Sequence, residues 1–169
     1  MKKAMLFFAA LLFSVSAHAA VLDLTTFDND VANNTTNLAI VNNPTGAFSF
    51  NAVNTTGSFS MGHVVVAAVD TMAKIEWSFN QSADLITAQI SKGGDFLMVE
   101  TITGAGTVFT MMLLAGQTYF FDIIGEAKAG MTLTLGITAV PLPAAVWLLA
   151  PALLGFFGMR RRAMKVAAA

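Results

Sequence analysis

The sequence predicts an all-β fold: a small antiparallel β-sandwich over residues 20–139, flanked by an N-terminal signal peptide and a C-terminal transmembrane helix. Three observations carry this expectation. Lys74–Asn80 alternates, with Ile75, Trp77 and Phe79 on one face and Lys74, Glu76, Ser78 and Asn80 on the other; a period of two marks a strand with one face buried. Met131, Leu133, Leu135 and Ile137 alternate in the same way with Thr132, Thr134, Gly136 and Thr138. Turn signals recur between such runs, and no amphipathic helix longer than a turn or two stands outside the termini, which is the spacing a sandwich requires.

The elements follow in order. Val21–Phe27 is the first strand. Asp28–Asn54 is rich in Asn and Thr and reads as short strands joined by polar loops, with apolar pieces at Leu38–Val41 and Phe48-Ser49-Phe50 and turn signals at Asn43-Pro44 and Gly46. Ser58–Val69 contains the unbroken apolar run Val64–Val69, expected to be covered on both faces. Lys74–Asn80 and Leu85–Lys92 are two further strands, and Gly93-Gly94-Asp95 is a hairpin turn into Phe96–Thr103. Gly104-Ala105-Gly106 is predicted as another turn, leading to Val108–Leu114. Ala115-Gly116-Gln117 turns into Tyr119–Ile124, where Tyr119, Phe121 and Ile123 share a face. Gly130 precedes the last strand.

The two ends differ from this body. Lys2 and Lys3, the apolar run Ala4–Phe13 and Ala17-His18-Ala19 form a secretory signal peptide, with cleavage expected before Ala20. From Val140 to Met159 no residue is charged, a length that at 1.5 Å per residue gives about 30 Å, the thickness of a bilayer's hydrocarbon core. Arg160, Arg161, Arg162 and Lys165 follow, and such a cluster stays on the cytoplasmic side, leaving the body outside. These two segments raise the mean hydropathy to +0.68. Pro141 and Pro143 bias their neighbours to extended backbone, which leaves a short protease-accessible stretch just before the span.

The C-terminal arrangement resembles the PEP-CTERM family of sorting signals, in its VPLPA variant. Val140, Pro141, Leu142, Pro143 and Ala144 match the variant motif; Trp147-Leu148, Leu153-Leu154-Gly155, Gly158 and Arg160–Arg162 match the remainder. Leu142 stands where the commoner form has Glu. The resemblance implies recognition by an exosortase, a membrane-embedded transpeptidase-like enzyme of Gram-negative bacteria that make extracellular polysaccharide. It also implies a transient stay at the inner membrane before release to the cell surface or matrix. Leu114–Val140 also resembles the last two strands of small exosortase-sorted proteins of the FxDxF group, although Phe59-Ser60-Met61-Gly62-His63 has Met and His where that motif needs Asp and Phe.

Composition excludes several functions. Between Ala20 and Ala139 ten acidic residues stand against three basic ones, a net charge of −7. An acidic surface repels nucleic acid, so no nucleic-acid partner is expected. With no cysteine there is no disulfide, thiol catalysis or zinc–thiolate site. The mature body holds one histidine, His63, expected at a loop or strand end, and no G-x-S-x-G elbow. No enzyme activity and no cofactor are expected. Asp28 and Asp30, with Asn29 between them, are candidate calcium ligands, against the simpler reading of a turn whose side chains bond their own backbone. Trp77, Tyr119 and Phe121 are candidates for a sugar-stacking platform, against the commoner role of such residues in a core.

The resulting expectation is a non-enzymatic exported protein with a structural or adhesive role at the cell surface or in the extracellular matrix. Its processing partners are signal peptidase and an exosortase. The alternative is a carbohydrate- or calcium-binding module delivered by the same route, with extracellular polysaccharide as partner.

Overall fold

The computed structural model describes residues 20–141, apart from the side chains of 82–85. The expected signal peptide with Ala17 and Ala19, the rest of the sorting motif (Leu142, Pro143 and Ala144), the transmembrane span and Arg160–Arg162 lie outside the described residues. Ala20–Val140 forms a compact unit. It holds eight strands and, among the described residues, no helix: β1 Leu24–Asn33, β2 Thr35–Asn43, β3 Gly46–Val53, β4 Gly57–Ala67, β5 Thr71–Lys92, β6 Asp95–Leu113, β7 Thr118–Ala127 and β8 Thr132–Ala139. The all-β expectation holds.

The strands pair antiparallel in the order β1-β4-β7-β5-β8-β3-β2, with β6 on β5. The long strand β5 decides the architecture. One of its edges carries β6 along its length; the other takes β8 against residues 73–79 and β7 against residues 87–91. Trp77 and Ile90 would stand about 43 Å apart on a straight strand at 3.3 Å per residue. Yet the Trp77 ring is 6.4 Å from that of Phe121, the residue paired with Ile90. So β5 bends back over itself, and the sheet becomes two facing layers. Layer A is β1-β4-β7 with the second half of β5; layer B is β2-β3-β8 with the first half.

The bend explains a departure from the sequence reading. Gly104-Ala105-Gly106 is not a turn between two strands but the middle of β6, where it follows the bend of β5. The pairing slips there, from Ser78–Gly106 to Ala83–Gly104. Gly106 has φ 150°, and a Cβ on it would run into the carbonyl oxygen of Trp77. Glycine correctly marked unusual backbone, but only the partner strand distinguishes a bend from a reversal. For the same reason the expected pair Lys74–Asn80 and Leu85–Lys92 is one strand.

Asp28–Asn54 does form short strands, but they are joined by less loop than its composition suggests. It forms the end of β1 and all of β2 and β3, separated only by Asn34, in the left-handed region at φ 56°, and by the turn at Pro44-Thr45. β1 and β2 are edge strands, and edge strands carry the polar residues that composition assigns to loops.

The core lies between the layers. β4, β7 and the second half of β5 contribute Phe59, Met61, Val65, Tyr119, Phe121, Ile123, Ile86 and Ile90; β8 and the first half of β5 contribute Leu133, Leu135, Ile137, Ile75, Trp77 and Phe79. Burying each such side chain contributes roughly 1.5–3 kcal/mol before chain entropy is counted. The predicted alternation in β5, β7 and β8 is the one observed. The valine run of β4 differs: Val65 is buried but Val64 and Val66 are only half-buried, and Val69 is exposed, so it is covered on one face.

Candidate functional site

The aromatic residues singled out in the sequence belong to the core. Trp77 and Phe121 are fully buried and Tyr119 nearly so. Trp77 packs on Phe109 at 5.6 Å and on Phe121 at 6.4 Å, and Tyr119 Oη accepts the Leu114 N–H at 2.9 Å. None offers a face to a sugar, so the platform expectation fails at these residues and the core reading holds.

His63 is not at a loop or strand end. It stands in the middle of β4, fully buried, opposite Asn29 of β1 and Phe121 of β7, with Phe27 at 5.7 Å. Neither ring nitrogen has a hydrogen-bond partner, and the same holds for the buried Asn29 Oδ1. Burial pushes His63 down to about 4, while the backbone and carboxylate of Asp28 pull the other way and offset only part. The ring is neutral and is not coupled to a nucleophile.

Asp28 and Asp30 are in strand β1, not in a loop, and do not join in one ligand set. Asp28 Oδ1 accepts the N–H of Asn29 at 2.8 Å, the self-bonding reading. Asp30 instead leans over Gly62 of β4, where it meets Asp122 from β7. A Cβ on Gly62 would collide with Oδ1 of both carboxylates. Burial and the Asp30 charge raise the carboxyl of Asp122 above the usual range. Among the described residues no three metal-ligating side chains gather.

The outer face of layer B is built differently, and the facing of its key strand was not legible in the sequence. At the centre of β3 the hydrophobic pattern is inverted, while Ala47 and Val53 toward its ends still face the core. Ser49 and Asn51 point into the core and satisfy each other, Asn51 Nδ2 donating to Ser49 Oγ at 2.7 Å, while Phe48 and Phe50 point outward. The two inward polar residues lie opposite Leu135 and Leu133 of β8. A slip of one residue would bury both rings, so hydrophobicity alone does not choose this register.

Phe48 lies flat because two glycines let it. Its Cε2 and Cζ are 2.9 and 3.0 Å from where a Cβ of Gly46 would stand, and its Cε1 and Cδ1 are 3.2 and 3.3 Å from that of Gly136. The ring rests across both glycines, and a side chain on either would press it off the sheet. Phe50 continues the surface, its centroid 6.5 Å from that of Phe48 and its plane tilted by only 25°. Phe50 is 38 % exposed and Phe48 half-buried. Along the ladder Phe48 faces Gly136, which faces Glu76 of β5; Phe50 faces Thr134, which faces Ser78. Glu76 is paired with Lys74 at 2.6 Å, both side chains well exposed. The arrangement is a shallow aromatic floor bordered by hydroxyls and one ion pair.

The chain matches no protein-family model, and no curated protein matches it in sequence. Among solved structures it is similar to the C-terminal CBM6 of LamC from Zobellia galactanivorans, with 12 % identity over 65 % of this chain and 92 % of that one, and a TM-score of 0.40. It is similar to CBM35 from Paenibacillus barcinonensis, with 8 % identity over 68 % of this chain and 99 % of that one, TM-score 0.40. It is also similar to the carbohydrate-binding module CBM6cm-2 of Cellvibrio mixtus lichenase 5A, with 13 % identity over 69 % and 98 %, TM-score 0.39.

Proposed function

We propose that this protein is a non-catalytic, exported polysaccharide-binding domain that holds its ligand on the outer face of layer B. The single observation that carries the reading is the inverted strand β3. It keeps two phenyl rings outside and two polar residues inside, against the hydrophobic effect, and two glycines flatten the inner ring into a floor. Flat aromatic surface next to hydroxyl and charged groups is the chemistry that takes a sugar ring, whose C–H face is apolar and whose edge is polar. This makes the binding alternative of the sequence reading the better one, on Phe48 and Phe50 rather than on Trp77, Tyr119 and Phe121.

Delivery to the cell surface through the VPLPA-type signal belongs to the same proposal. One feature supports an accessible motif: the N–H of Val140 donates to the Met72 carbonyl at 2.8 Å, and Pro141 beyond it is exposed. The test of binding is electrophoresis of the full chain, in mild detergent, through gels cast with polysaccharides. Wild type is expected to be retarded by at least one of them and Phe50→Ala to migrate as in the empty gel; equal retardation of both removes the site.

A structural role through self-association is the second reading, favoured by β6. Among the described strands β6 pairs only with β5, and Phe96, Leu97, Val99, Val108 and Met112 along it are exposed. A bare strand edge recruits another strand, and a lysine on it prevents this. Under this reading sedimentation shows an oligomer that Val99→Lys with Val108→Lys dissolves; a monomeric wild type dismisses it.

A further inference from the structure

We infer that the layer B floor selects uncharged, hydroxyl-rich polysaccharide, and that Glu76, held by Lys74, is the residue that reads the sugar's hydroxyls. The inference rests on the proposed binding site and adds the class of its ligand.

The first argument is charge. The described cations are Lys74, Lys92 and Lys128. Lys92 ends β5 at the hairpin and Lys128 follows β7, whereas only Lys74 stands on the same strand face as Glu76, beside the floor. Its ammonium is already engaged at 2.6 Å by the Glu76 carboxylate. Among the described residues no free positive charge therefore borders Phe48 and Phe50, and the stretch from Ala20 to Ala139 carries −7. A uronate or sulfated polymer would approach a like-charged body and find no unpaired cation at the floor, a mismatch that repels the wrong partner.

The second argument is reach. Gly136 is the only position between Phe48 and Glu76 on their shared ladder row, and it has no side chain. The Phe48 ring itself covers that position, so no other side chain stands between the floor and the exposed Glu76 carboxylate. An ionised carboxylate is acceptor-only and takes two neighbouring hydroxyls at once. The lysine fixes its rotamer and supplies a donor for a hydroxyl oxygen. Thr134 and Thr138 on either side of Gly136 add hydroxyls that both donate and accept. Every one of these partners suits a neutral sugar edge.

The test uses the full chain in mild detergent and gels containing either neutral polymers (hydroxyethylcellulose, galactomannan) or acidic ones (polygalacturonate, dextran sulfate), at low and high salt. Retardation is expected only by a neutral polymer and is expected to be unchanged by salt. Glu76→Gln should weaken it by about tenfold or more, the worth of one hydrogen bond to a charged group. Gly136→Val, which changes no charge, should weaken it by lifting Phe48, and an unchanged melting temperature would show the fold intact. Salt-sensitive retardation by an acidic polymer, lost in Lys74→Gln, overturns the ligand class while leaving the site in place. Neutral binding that survives Phe50→Ala and Gly136→Val overturns the site itself. Retardation by neither class overturns both.

Discussion

The two outer faces of the sandwich use the same backbone device for different ends. Each has a glycine in mid-strand whose missing side chain is filled by its neighbours: Gly136 on layer B by the ring of Phe48, Gly62 on layer A by the carboxylates of Asp30 and Asp122. The glycine sets the space, and the cross-strand partners set the chemistry. On layer B the result is an aromatic floor beside a self-neutralised ion pair; on layer A it is two like charges sharing one hollow, with the unpartnered His63 on the reverse side of the same strand. One face is organised for contact; the other holds the two groups whose protonation burial shifts, His63 and Asp122.

The largest expected effect breaks that contrast with acid. His63 is near 4 in the folded state and about 6.5 when unfolded, so protons bind the unfolded chain more readily. The stability it contributes is complete above pH 6.5 and is lost as pH falls from there to about 4. The full loss is a little over ~3 kcal/mol, from about 2.5 pH units at 1.36 kcal/mol each. Urea unfolding at pH 7.5 and 4.5 should show it, and His63→Phe should remove most of the difference. A wild type equally stable at both pH values would refute the assignment.

Smaller effects are expected on layer B. Phe48→Ala removes a half-buried ring and should cost about 1–2 kcal/mol, below the 3–5 of a fully buried one, whereas Phe50→Ala should cost under about 1. Both should leave the pH dependence of stability untouched, because no titrating group of layer A faces them. If Phe50→Ala destabilises as much as Phe48→Ala, the outer ring is structural and the two faces do not differ in this way.

The sequence revealed these faces unevenly, for reasons that lie in particular residues. The alternation of β5, β7 and β8 was readable because their apolar residues face the core, as the hydrophobic effect dictates. In β3 the same rule misleads: it would turn the rings of Phe48 and Phe50 inward, and only the pairing of Ser49 and Asn51 with Leu135 and Leu133 shows that they are outside. Asp28 and Asp30 look like partners at a spacing of two, yet the true partner of Asp30 is Asp122, far away in the chain and brought near by the order β1-β4-β7. No local pattern carries that pair. His63 was visible as a lone histidine before a valine run, but its burial depends on Phe27 and Phe121 from neighbouring strands.

The smallest expected effect sharpens the comparison by removing the charge conflict on layer A. The carboxyl of Asp122 is raised by burial first and by the Asp30 charge second, so the folded protein binds its proton more readily than the unfolded chain does. The sign is opposite to that of His63: at neutral pH this site costs stability, and the cost fades as pH falls through the raised value. Asp122→Asn keeps the shape, ends the repulsion and should stabilise the protein at pH 7. Asp122 is partly exposed, so solvent screening holds the gain below about 1 kcal/mol. Asp30→Asn should give part of the same gain, and the double variant less than the sum of the two, because each removes the same repulsion. Gly62→Ala provides the geometric counterpart: its methyl would push the carboxylates apart and should cancel the non-additivity without altering any charge. Additive single variants in the wild-type background would mean that the two carboxylates do not feel each other, and that the hollow over Gly62 is only a gap in the sheet.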